Sequence, residues 1–121
     1  MAKKIVIVDD SESIREVVSF TLENAGYDVL IGEDGEDAIK FFDGRDIDLL
    51  ITDLYMPKVD GIQLIKNIRE KEEYQHLPIL FLTTESQKEK KQEAKSAGAT
   101  GWIIKPFVPD KLLSAVSKVM R

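Results

Sequence analysis

The chain has 121 residues, a formal net charge of −5 and no cysteine. This length provides one hydrophobic core and therefore one domain. The acidic balance argues against nucleic-acid binding, because phosphate backbones favour surfaces rich in Lys and Arg. The lack of cysteine excludes disulfides and thiolate metal sites and suits a reducing compartment, so we expect a cytoplasmic protein. The apolar run at residues 5–8 is too short for a signal peptide or a membrane span, and we expect no membrane contact.

Five short apolar runs predict β-strands. They are Ile5–Val8, Tyr27–Ile31, Leu49–Ile51, Ile79–Leu82 and Trp102–Ile104. Each run is continuous rather than alternating, which is typical of strands that are buried on both faces of a parallel sheet.

Segments with helical periodicity separate these runs. The first predicted helix has its apolar residues on one face, namely Ile14, Val17, Val18, Leu22 and Ala25. We predict a capping box of Ser13 and Glu16 at its start, and its end at Gly26. The later helices have predicted starts at Asp34, at Asp60 with Gln63, at Ser86 with Glu89, and at Pro109.

Strand and helix therefore alternate throughout the chain. This order predicts an α/β fold, a (βα)₅ doubly wound parallel five-stranded sheet with helices on both faces. We expect residues 1–121 to form a single domain without an output domain. The segment from Gln87 to Gly98 is a poor core helix, because it has four lysines and offers Ala94 and Ala97 for burial. It is either a solvated surface or a basic face for an acidic partner.

Charged and hydroxyl residues follow four of the predicted strands. They are Asp9 and Asp10, Thr52 and Asp53, Thr83 and Thr84, and Lys105 before Pro106. Ligands of open α/β sheets bind at the carboxyl ends of the strands, so we expect these side chains to converge.

The expected cluster of carboxylates needs a compensating cation, and Mg²⁺ prefers such oxygen ligands. Asp53 held beside Mg²⁺ and Lys105 can attack phosphorus, and the product would be an aspartyl phosphate. Taken alone, Asp9 and Asp10 fit a simple helix cap better than a metal site. Because Asp53 and Lys105 also follow predicted strands, at the same edge of the sheet, the metal site is favoured over the cap.

Four motifs in this order resemble those of bacterial two-component response-regulator receiver domains, and most closely the stand-alone chemotaxis regulators. The motifs are Val8–Ser11, Thr52–Pro57 with Asp60 and Gly61, Leu82–Ser86, and Ala97–Phe107. The resemblance covers the whole chain and implies the strand order 2-1-3-4-5.

The resemblance also implies a role for each site residue. Asp53 would be the phosphoacceptor, Asp10 and Asp53 direct Mg²⁺ ligands, Asp9 a ligand through water, and the backbone carbonyl of Tyr55 the remaining protein ligand. Lys105 would contact a phosphoryl oxygen, with a cis peptide bond to Pro106. Thr83 would be the switch hydroxyl and Trp102 its aromatic partner, where the family commonly has Tyr or Phe. The side chains of Tyr55 and Glu85 either control the access of water to Asp53 or simply face solvent.

The function implied by the resemblance is a phosphorylation-dependent switch in bacterial chemotaxis. A chemotaxis histidine kinase would phosphorylate Asp53, and the fourth helix, fifth strand and fifth helix would then bind the flagellar motor switch protein. We expect a monomer that is served by a dedicated phosphatase and is not itself an enzyme on other substrates.

Three alternatives remain at this point. One is a phosphate sink or phosphorelay intermediate with the same chemistry. Another is a flavodoxin-like FMN binder, although the loop Asp9–Glu12 would repel phosphate. A metal-dependent phosphatase ranks last, because no second catalytic acid is evident.

Overall fold

The computed structural model describes residues 2–120, and within them five parallel strands form one sheet in the order β2-β1-β3-β4-β5. The strands are β1 Lys4–Val8, β2 Asp28–Gly32, β3 Leu49–Thr52, β4 Ile79–Thr83 and β5 Gly101–Ile104. Each predicted strand is confirmed to within one residue at either end. The predicted strand order is also confirmed, so β1 and β3 lie side by side at the centre of the sheet.

Five α-helices and one 3-10 turn alternate with the strands of this region. They are α1 Glu12–Asn24, α2 Gly35–Ile39, α3 Gly61–Arg69, the 3-10 turn Glu72–Tyr74, α4 Lys88–Ala97 and α5 Pro109–Val119. Within residues 2–120, no helix combines the length and the apolar character that crossing a membrane would require.

The starts of three helices agree with the sequence prediction. Asp34 caps α2 by accepting a hydrogen bond from the N–H of Asp37, and Asp60 caps α3 by accepting one from the N–H of Gln63. Pro109 occupies the first turn of α5, where its missing N–H costs no hydrogen bond.

The other two predicted starts are wrong. Ser11, not Ser13, caps α1, because the chain turns directly after Asp10 and the Ser11 hydroxyl reaches the N–H of Ile14. Ser13 lies inside the helix. Ser86 does not cap α4, which begins after Gln87.

The strands send alternate side chains to two hydrophobic clusters, one on each face of the sheet. Val6 and Val8 of β1 face α2, α3 and α4, whereas Ile5 and Ile7 face α1 and α5. On α1, fewer of the predicted apolar residues are buried than expected. Val18 and Leu22 are buried, but Val17 is 50% exposed because it lies at the groove between α1 and α5.

Gly61 sits where the backbone of α3 passes closest to the end of β3. A Cβ at this position would lie 2.3 Å from the carbonyl oxygen of Asp53 and 2.6 Å from the ring of Phe81. Only glycine allows the first turn of α3 to pack this close, so the approach fixes the path of the chain that follows Asp53.

We therefore expect Gly61→Ala to destabilise the fold by about 2–3 kcal/mol through overpacking, as measured by urea denaturation. Gly26→Ala is the control, because a Cβ there would meet no atom within 4 Å although φ is +96°. That variant carries backbone strain of about 1–2 kcal/mol without displacing Asp53. Wild-type stability in Gly61→Ala would contradict the close approach seen here.

Candidate functional site

Three aspartates meet at the carboxyl ends of β1 and β3. Asp9 and Asp10 follow β1, Asp53 follows β3, and each offers a carboxylate oxygen within 4.8 Å of the others. Asp9 and Asp53 are buried, whereas Asp10 is exposed. The acidic cluster expected from the sequence is therefore formed, with one of its members open to solvent.

Lys105 compensates the two buried carboxylates. Its Nζ donates to Oδ2 of Asp9 at 2.8 Å and to Oδ2 of Asp53 at 2.9 Å. Burial raises the pKa of Asp9, and the hydrogen bond from Lys105 opposes this rise. Burial also works against the charged form of Lys105, but the hydrogen bonds to Asp9 and Asp53 outweigh it and raise the pKa of this ammonium. Lys105 therefore remains protonated at neutral pH.

The backbone holds the rest of this arrangement in place. Oδ1 of Asp53 accepts hydrogen bonds from the N–H of Leu54 at 2.6 Å and of Tyr55 at 3.3 Å. The backbone N–H of Lys105 donates to the carbonyl of Thr83 at 2.9 Å. The peptide bond between Lys105 and Pro106 is cis, as the resemblance implied. These contacts fix the direction of the Asp53 carboxylate and the position of the backbone that carries Lys105.

Thr83 and Trp102 are linked indirectly, because each forms a hydrogen bond with the backbone of Glu85. Thr83 is fully buried at the end of β4, and its Oγ1 accepts the N–H of Glu85 at 3.3 Å. The indole N–H of Trp102 donates to the carbonyl of Glu85 at 2.9 Å. Its ring also packs against Phe81, with centroids 5.3 Å apart. Trp102 is thus anchored to the β4–α4 loop.

Glu85 also joins this loop to the one that carries Tyr55. The Tyr55 hydroxyl donates to Oε1 of Glu85, while Oε2 accepts the N–H groups of Ser86 at 3.1 Å and Gln87 at 3.0 Å. The hydrogen bond between the two side chains raises the pKa of Tyr55 and lowers that of Glu85. The sequence left both roles open, and no local pattern could show that residues thirty positions apart form one bridge.

The chemistry of the donor set fits Mg²⁺. Mg²⁺ is a hard cation that binds few carboxylates and keeps several waters, so a cluster with one exposed member suits it. Lys105 donates to Oδ2 of Asp9 and of Asp53, whereas the carboxylate of Asp10 is exposed to solvent and accessible to a cation.

Comparisons with known proteins agree with this geometry. The family described as response regulator receiver domain matches residues 5–117. The chain therefore belongs to the response regulator receiver domains. Within that family it is similar to proteins of the CheY type. It is 44% identical to chemotaxis protein CheY4 of Vibrio cholerae, whose structure covers 98% of this chain and 99% of its own with a TM-score of 0.95.

Further relatives differ in how much of their own length is matched. Chemotaxis protein CheY-3 of Vibrio cholerae is 39% identical over 117 residues, which is 96% of this chain and 90% of CheY-3. The alkaline phosphatase synthesis transcriptional regulatory protein PhoP of Bacillus subtilis is 37% identical, but the chain spans half of its length. The response regulator TrrA of Thermotoga maritima, solved in complex with Mg²⁺-BeF, is 33% identical with a TM-score of 0.85, covering 97% of this chain and 98% of TrrA.

We expect Tyr55→Phe to loosen the β4–α4 loop, because the change removes the hydroxyl that ties Glu85 to the β3–α3 loop. The amide hydrogens of Ser86 and Gln87 should exchange about fivefold faster, since the loss of a hydrogen bond worth about 1 kcal/mol lowers the opening free energy. Hydrogen-exchange mass spectrometry measures this change.

Tyr27→Phe serves as the matched control, since Tyr27 precedes β2 at the opposite edge of the sheet. Unchanged exchange at Ser86 and Gln87 in Tyr55→Phe would show that the bridge does not order this loop.

Proposed function

We propose that this protein is a phosphorylation-dependent switch of bacterial chemotaxis that accepts a phosphoryl group on Asp53 from a histidine kinase. The observation that carries the proposal is the Lys105 ammonium, which bridges the buried carboxylates of Asp9 and Asp53. The receiver family of the chain and its similarity to chemotaxis proteins over nearly their whole length support the same function.

Asp53 acts as the nucleophile in this proposal. A carboxylate oxygen attacks the phosphorus of a phosphohistidine, the P–N bond breaks, and the imidazole nitrogen leaves with the electron pair and takes up a proton. Lys105 neutralises charge on the phosphoryl oxygens. Asp10 and Asp53 would hold Mg²⁺ directly, Asp9 through water, and the Tyr55 backbone carbonyl would complete the set. Bound Mg²⁺ supplies further neutralisation of the charge on the transferring oxygens.

The conformational response begins at Thr83. A phosphoryl group offers strong acceptor oxygens, so the Thr83 hydroxyl donates to one of them and turns away from the N–H of Glu85. Glu85 also holds Trp102 and Tyr55, and its displacement therefore moves both. The β4–α4 loop therefore moves together with the indole of Trp102, and the ring does not rotate independently of the loop.

The proposed output surface combines α4, β5 and α5. The exposed lysines Lys91 and Lys95 of α4 and Lys111 of α5 flank the half-buried Trp102, and Ile104 and Val108 are exposed beside them. Such a basic surface with an apolar centre suits an acidic amphipathic segment. We propose the flagellar motor switch protein as the partner, and the cytoplasm as the compartment. A phosphate sink or phosphorelay intermediate remains the alternative, since its chemistry at Asp53 would be the same.

Incubation with acetyl phosphate and Mg²⁺ should add one phosphoryl group, detected by intact-mass spectrometry. The adduct should be labile to hydroxylamine and absent without Mg²⁺ or in Asp53→Asn. Asp46→Asn is the control, because Asp46 is an exposed aspartate at the amino end of β3. If wild type forms no adduct with acetyl phosphate or with a phosphorylated histidine kinase, the phosphoacceptor assignment is wrong.

Motor binding requires a second experiment. Beryllofluoride with Mg²⁺ mimics the phosphoryl group and should strengthen the affinity for the motor switch protein by about tenfold or more, measured by calorimetry. Lys91→Glu should abolish the gain by reversing the charge beside Trp102, whereas Lys40→Glu, at the end of α2 near the opposite edge of the sheet, should leave it intact. A phosphorylated protein that never binds the motor switch would favour the sink or relay function.

A further inference from the structure

Arg15 holds the backbone between the first two aspartates of the acidic cluster. Its Nη1 donates to the carbonyl oxygen of Asp9 at 2.7 Å. This carbonyl belongs to the peptide that joins Asp9 to Asp10. Because a peptide is planar and includes both Cα atoms, the guanidinium fixes the orientation of the backbone that carries the two carboxylates. Its side chain is 14% exposed, and a hydrogen bond from a charged, shielded donor is among the stronger ones.

The position of Arg15 on α1 makes this contact rigid. Ser11 caps the helix, and the N–H of Arg15 donates to the carbonyl of Ser11 at 3.0 Å, which places Arg15 one turn into α1. The helix axis then directs the side chain back over the loop that precedes it. The second arm, Nη2, lies 3.7 Å from Glu33, but Glu33 is 75% exposed and such a pair contributes little. The contact with Asp9 is therefore the consequential one.

Arg15 differs from Lys105 in what it binds. Lys105 donates to the carboxylates themselves, whereas Arg15 donates to a main-chain carbonyl next to them. Because Asp10 is exposed, its carboxylate depends on the backbone for its direction. The geometry points to Arg15 as a positioning residue that preorganises the Asp9–Asp10 loop for Mg²⁺. This inference rests on the proposed function, since it concerns the metal of the same site.

Two effects of Arg15 on a bound cation have opposite signs. Its positive charge repels Mg²⁺, so Coulomb's law alone predicts tighter binding when the charge is removed. Its hydrogen bond holds the loop, so a positioning role predicts weaker binding when the bond is removed. The sign of the change in Mg²⁺ affinity therefore separates positioning from a charge effect.

The experiment is a calorimetric Mg²⁺ titration of wild type, Arg15→Gln and Arg15→Lys, with urea denaturation of each. We expect Arg15→Gln to bind Mg²⁺ about tenfold more weakly, in the range seen for partners that orient metal ligands. Arg15→Lys keeps the charge and one donor but loses the planar fork, so it should bind about threefold more weakly than wild type. Arg15→Gln that binds as tightly as wild type, or more tightly, overturns the inference.

Lys58→Gln is the charge-matched control. Lys58 lies on the β3–α3 loop and pairs with Asp34 at 3.7 Å, so its removal changes the local charge without touching the Asp9–Asp10 peptide. Its Mg²⁺ affinity should equal that of wild type or exceed it. If Arg15→Gln does not fold, Arg15→Lys decides, and wild-type affinity in that variant overturns the inference.

Failure of the proposed function has a different signature. Wild type that binds no Mg²⁺ and forms no phosphoryl adduct would contradict the proposed function as a whole. Wild type that binds Mg²⁺ and is phosphorylated, alongside Arg15 variants of equal or greater affinity, would contradict the role of Arg15 alone.

Discussion

The Lys105 ammonium lies between two buried carboxylates, and the geometry of the site depends on this contact. Its positive charge lies within hydrogen-bond distance of both groups and offsets the cost of burying the carboxylates of Asp9 and Asp53 so close together. Lys105 follows β5, while the two aspartates follow β1 and β3, so the contact spans the sheet from its centre to one edge. A sheet with these strands in another order would not bring the three groups together.

The main chain around this contact leaves few groups free to move. Asp53 is held by the amides that follow it, Gly61 brings α3 against it, and Arg15 holds the peptide after Asp9. In the proposed transfer to Asp53, a site preorganised in this way would not have to reorganise. The flexibility that signalling needs therefore falls on the β4–α4 loop, where Glu85 joins three otherwise separate side chains.

The sequence predicted the fold and the acidic cluster well, for a physical reason. Continuous apolar runs and helical spacing are local signals, and the carboxyl ends of parallel strands must meet at one edge of the sheet. Features that depend on contacts between distant segments were missed. The bridge from Tyr55 to Glu85 joins the β3–α3 and β4–α4 loops, and the indole of Trp102 on β5 is anchored to the β4–α4 loop. The contact of Arg15 with Asp9 is local, but it depends on a side-chain direction that no sequence pattern gives. The cap at Ser13 failed for a smaller reason, since two serines lie two residues apart and the turn geometry selects Ser11.

The amino-acid composition of α4 has a consequence for how such a protein changes over evolution. The helix is held to the core through Ala94, and Gly98, with φ of +115°, ends it. Most of its other positions face water and contribute little to the free energy of folding. Substitutions there can alter which partner is recognised while the buried aspartates and Lys105 stay as they are. Specificity and phosphoryl chemistry can thus diverge independently, so duplicated copies of such a gene could acquire separate partners without any loss of the common reaction.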